Sequence, residues 1–263
     1  MTDPTPSPTE PAGLAGVHAF VTGAGSGIGA AIARRLAAEG ARVTLAGRTV
    51  SKLEAVAADC PGSFSVACDV TDPDSVDKAV ADARGALGPI DILINNAGAV
   101  ETAKVHKIGI ERWRSMIDVN LTGVFLCLSA VLPAMLEAGR GRIVNVASTA
   151  GLKGYPYVAA YCAAKHGVIG LTRATAVELA GTGVAVNAVC PGYTDTELVR
   201  ESVARVMEKT GKSEEAVIAS YASSIPIGRL IDTSEVADAV LYLCRAGEAV
   251  LGQSLVVAGG EIM

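Results

Sequence analysis

The stretch TGAGSGIG, residues 22–29, places four glycines in eight residues directly after the apolar run VHAFV. Glycine costs backbone entropy on folding, so this density indicates a backbone that turns sharply or is closely approached by another group. The apolar run predicts a buried strand, and the residues from Ile28 to about Gly40 have the periodicity of a helix. The glycines therefore join the first strand to the first helix. A plain tight turn is the alternative explanation.

Short apolar runs rich in valine and isoleucine alternate with helical segments along the rest of the chain. This order predicts an α/β fold with a doubly wound, Rossmann-like parallel β-sheet. The strands are apolar on both faces, which is typical of a sheet covered by helices on each side. The predicted strands are VHAFVT, RVTLAG, SFSVACDV, DILINN, GRIVNVAS, VAVNAVCPG and GQSLVVAGG. We predict a single domain over residues 14–263, after a disordered tail over residues 1–13.

Composition narrows the functional classes. The 263 residues are half hydrophobic and carry a net charge of −5, which argues against nucleic acid or an anionic membrane as the partner. We expect no apolar run long enough and free enough of charge to span a membrane, and no signal peptide. Six cysteines without a CxxC pair suit core positions in a reducing cytoplasm. Three histidines without ligand spacing argue against a bound metal.

Residues 196–225 interrupt the alternation with a charged, helical segment. Two interpretations of this segment remain open at this point. It is either a solvated pair of surface helices or a helical lid insertion over a site, since it follows the carboxyl end of a predicted strand.

The glycine loop has the properties of an anion site. Ligands of open α/β sheets bind outside the carboxyl ends of the strands, where this loop lies. Its free backbone N–H groups and the dipole of the first helix favour a pyrophosphate. Gly29 also allows the helix to pack closely on the strand. The predicted cofactor contacts here are Gly23, Gly25, Ser26, Gly27, Ile28 and Gly29.

The end of the second strand bears on the choice of nucleotide. NAD-binding domains commonly place an acidic residue there for the ribose 2′-hydroxyl, but here Gly47 is followed by Arg48. A guanidinium suits a 2′-phosphate, so the sequence favours NADP(H), with NAD(H) as the alternative. A solvated loop charge is the other explanation of Arg48. Asp69, after the third strand, either accepts from the adenine amino group or caps the next helix in competition with Asp72.

The segment YCAAK places Tyr161 and Lys165 one turn apart on the same face of a helix. An ammonium group near a phenol lowers the pKa of the tyrosine, and such a tyrosine can protonate a carbonyl oxygen or deprotonate an alcohol. The pair also occurs on exposed helices without any function. Ser148 strengthens the catalytic interpretation, because it ends the fifth strand at the same sheet edge as the glycine loop.

Together these segments resemble the short-chain dehydrogenase/reductase family. The matching motifs are TGAGSGIG (22–29), NNAG (95–98), Asn120 in DVNLTG, Ser148, YCAAK (161–165) and PGYTDT (191–196), and the resemblance covers the chain from about residue 14. It implies an NAD(P)-dependent oxidoreductase that moves a hydride between the nicotinamide and a ketone or secondary alcohol. The catalytic set that it implies is Asn120, Ser148, Tyr161 and Lys165.

The resemblance also implies individual roles. Asn120 would hold a water that links Lys165 to solvent, although a buried structural asparagine is the interpretation without the family. Asn95 and Gly98 are expected close to the cofactor, and Thr196 is expected to bond the carboxamide or the pyrophosphate. The remaining predicted cofactor contacts are Val70, Asn96, Ala97, Tyr161, Lys165, Pro191, Gly192 and Thr194.

The substrate is expected to be a medium-sized, partly hydrophobic ketone or secondary alcohol, because the predicted pocket walls are apolar with phenolic tips. Those walls are Ser148, Ala150, Leu152, Tyr155, Tyr161, Gly192, Tyr193 and the lid. Similarity to β-ketoacyl reductase and 3-hydroxyacyl members implies a 3-oxoacyl or 3-hydroxyacyl compound. The long helices at 111–136 and 158–181 resemble those that pair subunits in the family, so we expect a homotetramer.

Other functional classes of protein account for fewer of these motifs. An NADPH sensor without turnover would need the glycine loop and Arg48, but not the complete set of Asn120, Ser148, Tyr161 and Lys165. Related epimerases and dehydratases usually have a longer C-terminal substrate domain. A methyltransferase would not explain YCAAK together with Ser148.

Overall fold

The computed structural model describes residues 13–262, except for the side chain of Lys209. The predicted disordered tail therefore lies outside the described residues, apart from Gly13. The elements follow one another as β1 (His18–Thr22), α1 (Gly27–Ala38), β2 (Arg42–Gly47), α2 (Val50–Ala57), β3 (Phe64–Ala67), α3 (Pro73–Leu87), β4 (Ile92–Asn95), α4 (Ile110–Ile117), α5 (Gly123–Ala138), β5 (Gly141–Val146), α6 (Ala159–Glu178), β6 (Val184–Pro191), α7 (Glu197–Thr210), α8 (Glu214–Ala222), α9 (Thr233–Arg245) and β7 (Ser254–Val257).

The seven strands form one parallel sheet in the order β3-β2-β1-β4-β5-β6-β7. The strand order reverses between β1 and β4, which pair in register at Val21 and Ile94. A crevice opens at such a reversal, outside the carboxyl ends of the two strands. The prediction of a doubly wound, Rossmann-like sheet in a single domain is confirmed.

Neighbouring residues of β1 belong to opposite hydrophobic cores. Val21 packs in a cluster with Ile32 of α1 and Val240 of α9. Phe20 packs in a second cluster with Val80 of α3 and Val131 of α5. Because successive side chains of a strand point to opposite faces, a strand that is apolar throughout needs a helical layer on each face. The continuous apolar strands of the sequence are explained in this way.

The turn between β1 and α1 requires glycine at two positions for different reasons. Gly23 has a φ of +65°, a conformation that side chains other than glycine rarely adopt. A Cβ on Gly29 would lie 2.2 Å from the carbonyl oxygen of Gly23. The close packing of α1 on β1 that the sequence predicted at Gly29 is therefore present.

The long helix predicted over residues 111–136 is interrupted. A π-helical turn at Asp118–Thr122 separates α4 from α5 and contains the buried Asn120. Insertions of this kind are frequent at functional sites. Together the three segments form a helix of 29 residues, Ile110–Ala138, with a stretch of mean hydropathy 2.0. The expectation that no apolar run is long enough to span a membrane was therefore wrong by length and composition. This helix is apolar because Cys127, Val131 and other residues on it belong to the hydrophobic core.

The segment predicted as a lid contains α7 and α8. Thr196 caps α7 by accepting a hydrogen bond from the Val199 N–H, and Ser213 caps α8 in the same way. The ring of Tyr221 on α8 stacks on Tyr193 with centroids 4.8 Å apart. The helical pair is thereby attached to the turn that follows β6, and its movement as a lid stays a prediction.

Replacing Gly29 by alanine should destabilise the nucleotide-free protein by about 3 kcal/mol or more, because the added Cβ would meet backbone that cannot move alone. Gly85→Ala is the matched control. No atom lies within 4 Å of a Cβ at Gly85 in α3, so this change should stabilise by about 0.5–1 kcal/mol. Urea unfolding followed by circular dichroism measures both changes. Equal stability of the two variants would contradict the packing argument.

Candidate active site

One cavity of about 1480 Å³ opens at the carboxyl ends of the strands. Sites for single small molecules are commonly about 300–1,000 Å³, so this cavity has room for a large cofactor beside a second ligand. Most residues that the sequence predicted for the site lie on its walls. They are Gly23, Gly25, Ser26, Gly27, Ile28, Arg48, Asp69, Val70, Asn96, Ala97, Gly98, Asn120, Ser148, Ala150, Tyr155, Tyr161, Lys165, Pro191, Gly192, Tyr193, Thr194 and Thr196.

Three predicted residues lie elsewhere. Leu152 does not line the cavity but packs against a hydrophobic cluster around Val168 and Ile169, so its assignment to the substrate wall was wrong. Asn95 is buried in the sheet, where its Nδ2 donates to Asn145 Oδ1 at 2.9 Å, and it does not line the cavity. Gly29 is also absent from the cavity wall, because it contacts the Gly23 carbonyl instead.

The glycine loop leaves donors and space for an anion. Ser26, at the start of α1, makes no side-chain cap, and the first turn of this helix has no acidic residue. The N–H groups at this end therefore keep their partial positive charge. A Cβ on Gly27 would lie 3.3 Å from Thr196 Cγ2, and one on Gly25 would lie 3.0 Å from Lys52 Cβ. Side chains at these positions would narrow the cradle, so the loop fits a dinucleotide pyrophosphate.

The end of β2 presents an exposed cation to the same cavity. Arg48 lines the cavity and forms no ion pair with the residues that the structure describes. Lys52 also lines it, and its Nζ lies 2.9 Å from Glu197 Oε2 of α7. The sequence analysis missed Lys52, although its place one helical turn after Arg48 was a usable signal. The two residues make this end of the cavity suitable for a phosphate.

Asp69, in the loop after β3, lines the cavity. Its Oδ1 accepts hydrogen bonds from the N–H and the hydroxyl of Thr71, and these bonds hold its pKa below the ordinary value. Helix α3 is capped instead by Asp72, which accepts from the Asp74 N–H. The alternative in which Asp69 caps α3 was therefore wrong, and its carboxylate stays charged beside the cavity.

Ser148 and Tyr161 come together from different elements. Ser148 follows β5, and its Oγ accepts a hydrogen bond from the Ala150 N–H at 3.0 Å. This bond leaves the hydroxyl proton of Ser148 free to be donated. Burial of the phenol raises the pKa of Tyr161 and outweighs the opposing effect of the nearby Ser148 hydroxyl. The phenol is therefore held in its neutral form.

Lys165 lies in the interior, one helical turn from Tyr161. Its side chain is 4% exposed, and its Nζ donates to the Val146 carbonyl oxygen at 2.8 Å. Burial lowers the pKa of Lys165 to about 8. The Nζ lies 5.7 Å from the centroid of the Tyr161 ring. Burial holds the pKa of Tyr161 above its ordinary value in this arrangement, so a lowering of that pKa by Lys165 stays a prediction.

Asn120 lies in the π-helical turn and connects two walls of the cavity. Its Nδ2 donates to the carbonyl oxygens of Ala99 at 2.9 Å and Met116 at 3.0 Å, and its Oδ1 accepts from the Ala99 N–H. A Cβ on Gly98 would lie 2.8 Å from this Oδ1. These bonds support the interpretation of a buried structural asparagine, and a role in holding a water stays a prediction.

Aromatic side chains form the end of the cavity next to the predicted lid. Tyr155 meets Tyr193 edge-on at 6.3 Å, and Tyr193 stacks on Tyr221. We call these three residues the tyrosine wall. Tyr221 was missed as an individual site residue, because the sequence does not show which face of α8 turns inward. The tyrosine hydroxyls and rings suit a partly apolar ligand, as the sequence predicted.

Comparison with known proteins agrees with this geometry. A family model described as short chain dehydrogenase matches residues 17–206. The protein named "Granaticin polyketide synthase putative ketoacyl reductase 1" of Streptomyces violaceoruber is 44% identical, over 99% of this chain and 98% of its own length. A cis-4-hydroxycyclohexanecarboxylate dehydrogenase of Sinomonas cyclohexanicum is 42% identical, over 92% of this chain and 95% of its own.

A solved structure extends the likeness to three dimensions. The crystal structure of a variant actinorhodin polyketide ketoreductase with NADPH superposes with a TM-score of 0.89 at 40% identity, over 93% of this chain and 97% of the other. These similarities cover nearly the whole fold and do not favour a nucleotide sensor without turnover. The chain belongs to the short-chain dehydrogenase family and is an NAD(P)-dependent oxidoreductase that acts on ketone and secondary alcohol groups.

Proposed function

We propose that the protein is an NADPH-dependent ketoreductase that reduces a partly apolar ketone of the 3-oxoacyl type to the secondary alcohol. The observation that carries this proposal is that Ser148, Tyr161 and the buried Lys165 line the same cavity as the glycine cradle. The names of the ketoacyl reductase and polyketide ketoreductase relatives support the substrate type.

The proposed preference for NADPH over NADH rests on Arg48. Its guanidinium is exposed at the end of β2, where no carboxylate follows the strand to hold a 2′-hydroxyl or repel a 2′-phosphate. A guanidinium can bind a phosphate through two parallel hydrogen bonds. Lys52, on α2, lines the same cavity as a second cation, although it is paired with Glu197. NAD(H) is the alternative cofactor, and it would gain nothing from either charge.

The pyrophosphate would lie in the cradle formed by the backbone of Gly25, Ser26 and Gly27 at the start of α1. Asp69 would accept from the adenine amino group. Lys165 would bond the ribose hydroxyls next to the nicotinamide, and the backbone around Gly192 and Thr194 would approach the carboxamide. When bound, the reduced nicotinamide supplies the hydride that reaches the carbonyl carbon.

The protein's part in the reaction is to hold and protonate the carbonyl oxygen. The Ser148 hydroxyl donates a hydrogen bond to this oxygen, since the Ala150 N–H already occupies one of its acceptor positions. Tyr161 gives its phenolic proton to the same oxygen as negative charge develops there, and the resulting phenolate is stabilised by the Lys165 ammonium. The raised pKa of Tyr161 suits this direction, because the proton is present before reaction and the alkoxide is the stronger base.

Reprotonation of Tyr161 requires a route from solvent. Lys165 and Asn120 line the same cavity as the phenol of Tyr161. We propose that a water held near Asn120 connects Lys165 to solvent. The hydrogen bonds from Asn120 to Ala99 and Met116 fix its position in the π-helical turn.

The region around residues 196–225 would act as a lid. Side chains of Leu198, Val199, Ser202 and Tyr221 line the cavity, which favours a covering role over a purely solvated helix pair. The substrate would lie between this cover and Ser148, Ala150, Tyr155, Tyr161 and Tyr193.

We also propose a homotetramer in the cytoplasm. Phe125 and Leu136 on α5 and Val177 on α6 are 50%, 41% and 80% exposed, and burial between subunits would remove this apolar surface from water. The six cysteines are free and buried, as suits a reducing compartment. The net charge of −5 argues against nucleic acid or an anionic membrane as a partner. Light scattering in solution tests the tetramer, and a monomeric mass would contradict it.

Arg48→Asp should weaken NADPH binding by about 10- to 100-fold and leave NADH binding equal or tighter, because it removes the phosphate ligand and supplies an acceptor for a 2′-hydroxyl. Arg84→Asp, on the exposed part of α3, makes the same charge change away from the cavity and should alter neither affinity. Fluorescence titration measures both. Equal affinity of the parent protein for the two cofactors would contradict the assignment of Arg48.

Tyr161→Phe should lower kcat for ketone reduction by about 10²- to 10⁴-fold, because it removes the proton donor. NADPH affinity should stay within about threefold, since the phenol makes at most one hydrogen bond to the cofactor. Tyr242→Phe, at a tyrosine that is 56% exposed on α9, is the control. Rates are followed by nicotinamide absorbance over small β-keto esters and cyclic and aromatic ketones. Full activity of Tyr161→Phe would contradict the proposed donor.

The rate of reduction should fall as pH rises through about 8, the pKa to which burial lowers Lys165. The lysine is charged below this pH and neutral above it, so above it the phenolate formed at Tyr161 loses its stabilising charge. Tyr161 keeps its proton over the same range because its own pKa is raised. kcat/KM for NADPH measures the free enzyme. The activity that remains in Lys165→Arg should stay constant to higher pH, because arginine keeps its charge. A rate of the parent protein that does not change through pH 8 would contradict this role of Lys165.

A further inference from the structure

A buried carboxylate lies behind the substrate end of the cavity. The side chain of Glu261, after β7, is 3% exposed, and Glu261 does not line the cavity. An ionised carboxylate away from water is costly unless it is paired and hydrogen-bonded. Its Oε1 lies 3.2 Å from Lys153 Nζ and 2.7 Å from the hydroxyl of Tyr155. Since Lys153 is 42% exposed, the half-buried Tyr155 is the less exposed partner.

The direction of each hydrogen bond at Tyr155 follows from the number of protons. The phenol has one proton and lies 2.7 Å from both Glu261 Oε1 and Thr149 Oγ1. A carboxylate only accepts, so Tyr155 donates to Glu261 and accepts from the Thr149 hydroxyl. Burial and the carboxylate raise the pKa of Tyr155. Its hydroxyl is held from two sides and is not available as a proton donor to a substrate.

The carboxylate also contacts the other segment that lines the substrate end. A Cβ on Gly192 would lie 2.9 Å from Glu261 Oε2, so the side chain packs against the turn that presents Tyr193. This oxygen is buried and accepts no hydrogen bond from the residues that the structure describes. Glu261 thus touches the backbone before Tyr193 and the hydroxyl of Tyr155, and these two rings meet edge-on.

We infer that Glu261 is a positioning residue for substrate binding, which acts by fixing Tyr155 and the Gly192–Tyr193 turn so that the tyrosine wall keeps its shape. The inference rests on the proposed ketoreductase function. Thr149, which holds the other side of Tyr155, directly follows Ser148, so the same network is continuous with the residue that holds the carbonyl oxygen. A ketone that contains a flat aromatic ring would make the most contact with the tyrosine wall, because aromatic edges and faces bind rings in defined orientations.

The effect should therefore depend on the size of the ketone. A bicyclic aromatic ketone such as α-tetralone would contact the tyrosine wall, whereas ethyl acetoacetate is held mainly at Ser148 and Tyr161. Glu261→Ala should raise KM for the bicyclic ketone about tenfold, with less than about threefold change for the small ester. kcat with both ketones and the Kd for NADPH should stay near the parental values, since Glu261 does not line the cavity in which the reacting groups lie.

Conservative variants separate positioning from a general structural role. Glu261→Gln still accepts from Tyr155 and should return KM to within about threefold of the parent. Tyr155→Phe should reproduce the effect of Glu261→Ala, and the double variant should be no worse than either single variant because both remove the same hydrogen bond. Glu248→Gln, at an exposed residue of the preceding loop, removes one negative charge and should change nothing.

Steady-state kinetics with both ketones at saturating NADPH, with fluorescence titration of NADPH, tests the inference. Parental KM values in Glu261→Ala, additive effects in the double variant, or a parallel loss of NADPH affinity and kcat for both ketones would overturn it. If Glu261→Ala does not fold, Tyr155→Phe alone decides, and its unchanged KM for the bicyclic ketone would overturn the inference. A parent protein that reduces no ketone would refute the proposed function and the inference with it.

Discussion

The contact between the glycine loop and the loop after β4 holds the whole site together. Asn96 Nδ2 donates to the carbonyl oxygens of Thr22 and Gly23, and the Thr22 hydroxyl accepts from the N–H groups of Asn96 and Ala97. Gly29 packs on the same carbonyl of Gly23. These bonds join β1, α1 and β4 at the reversal of strand order. The glycine loop and the segment after β4, which both line the cavity, consequently share one fixed corner.

Much of this arrangement could be predicted because its signals are local. Short apolar runs identify the strands, and the segments with helical periodicity between them identify the helices. A polar residue that follows a strand must lie on the edge of the parallel sheet where all carboxyl ends meet. Ser148, Arg48 and the glycines were found in this way. Asn95 was misplaced because adjacent residues of a strand point to opposite faces. Leu152 was misplaced because the sequence does not show which side of the turn after Thr149–Gly151 faces the cavity. Glu261 had no local signal at all, since Tyr155 and Lys153 lie more than a hundred residues away along the chain.

Burial sets the electrostatics of the reacting groups in a way that sequence spacing does not show. The four-residue interval between Tyr161 and Lys165 predicts proximity but not exposure to water. Loss of contact with water raises the pKa of the phenol and lowers that of the ammonium. It therefore favours the neutral forms of the two groups over the phenolate–ammonium ion pair. The raised pKa keeps the proton on Tyr161 until negative charge develops on the substrate oxygen, as its role as the acid requires.

The site divides into a rigid part and an adjustable part, and the division follows the elements that carry each residue. Ser148 and the glycine loop lie at strand ends, and Tyr161 and Lys165 lie on a helix packed against β5 and β6, so the sheet fixes their separation. Tyr155, Tyr193 and Tyr221 lie on a loop, a turn and the helical pair. Loops have no ladder of backbone hydrogen bonds to fix them, so side-chain contacts must do so. The buried carboxylate of Glu261 has this task, which explains why a charge is kept in a position where it contacts neither solvent nor the reacting atoms.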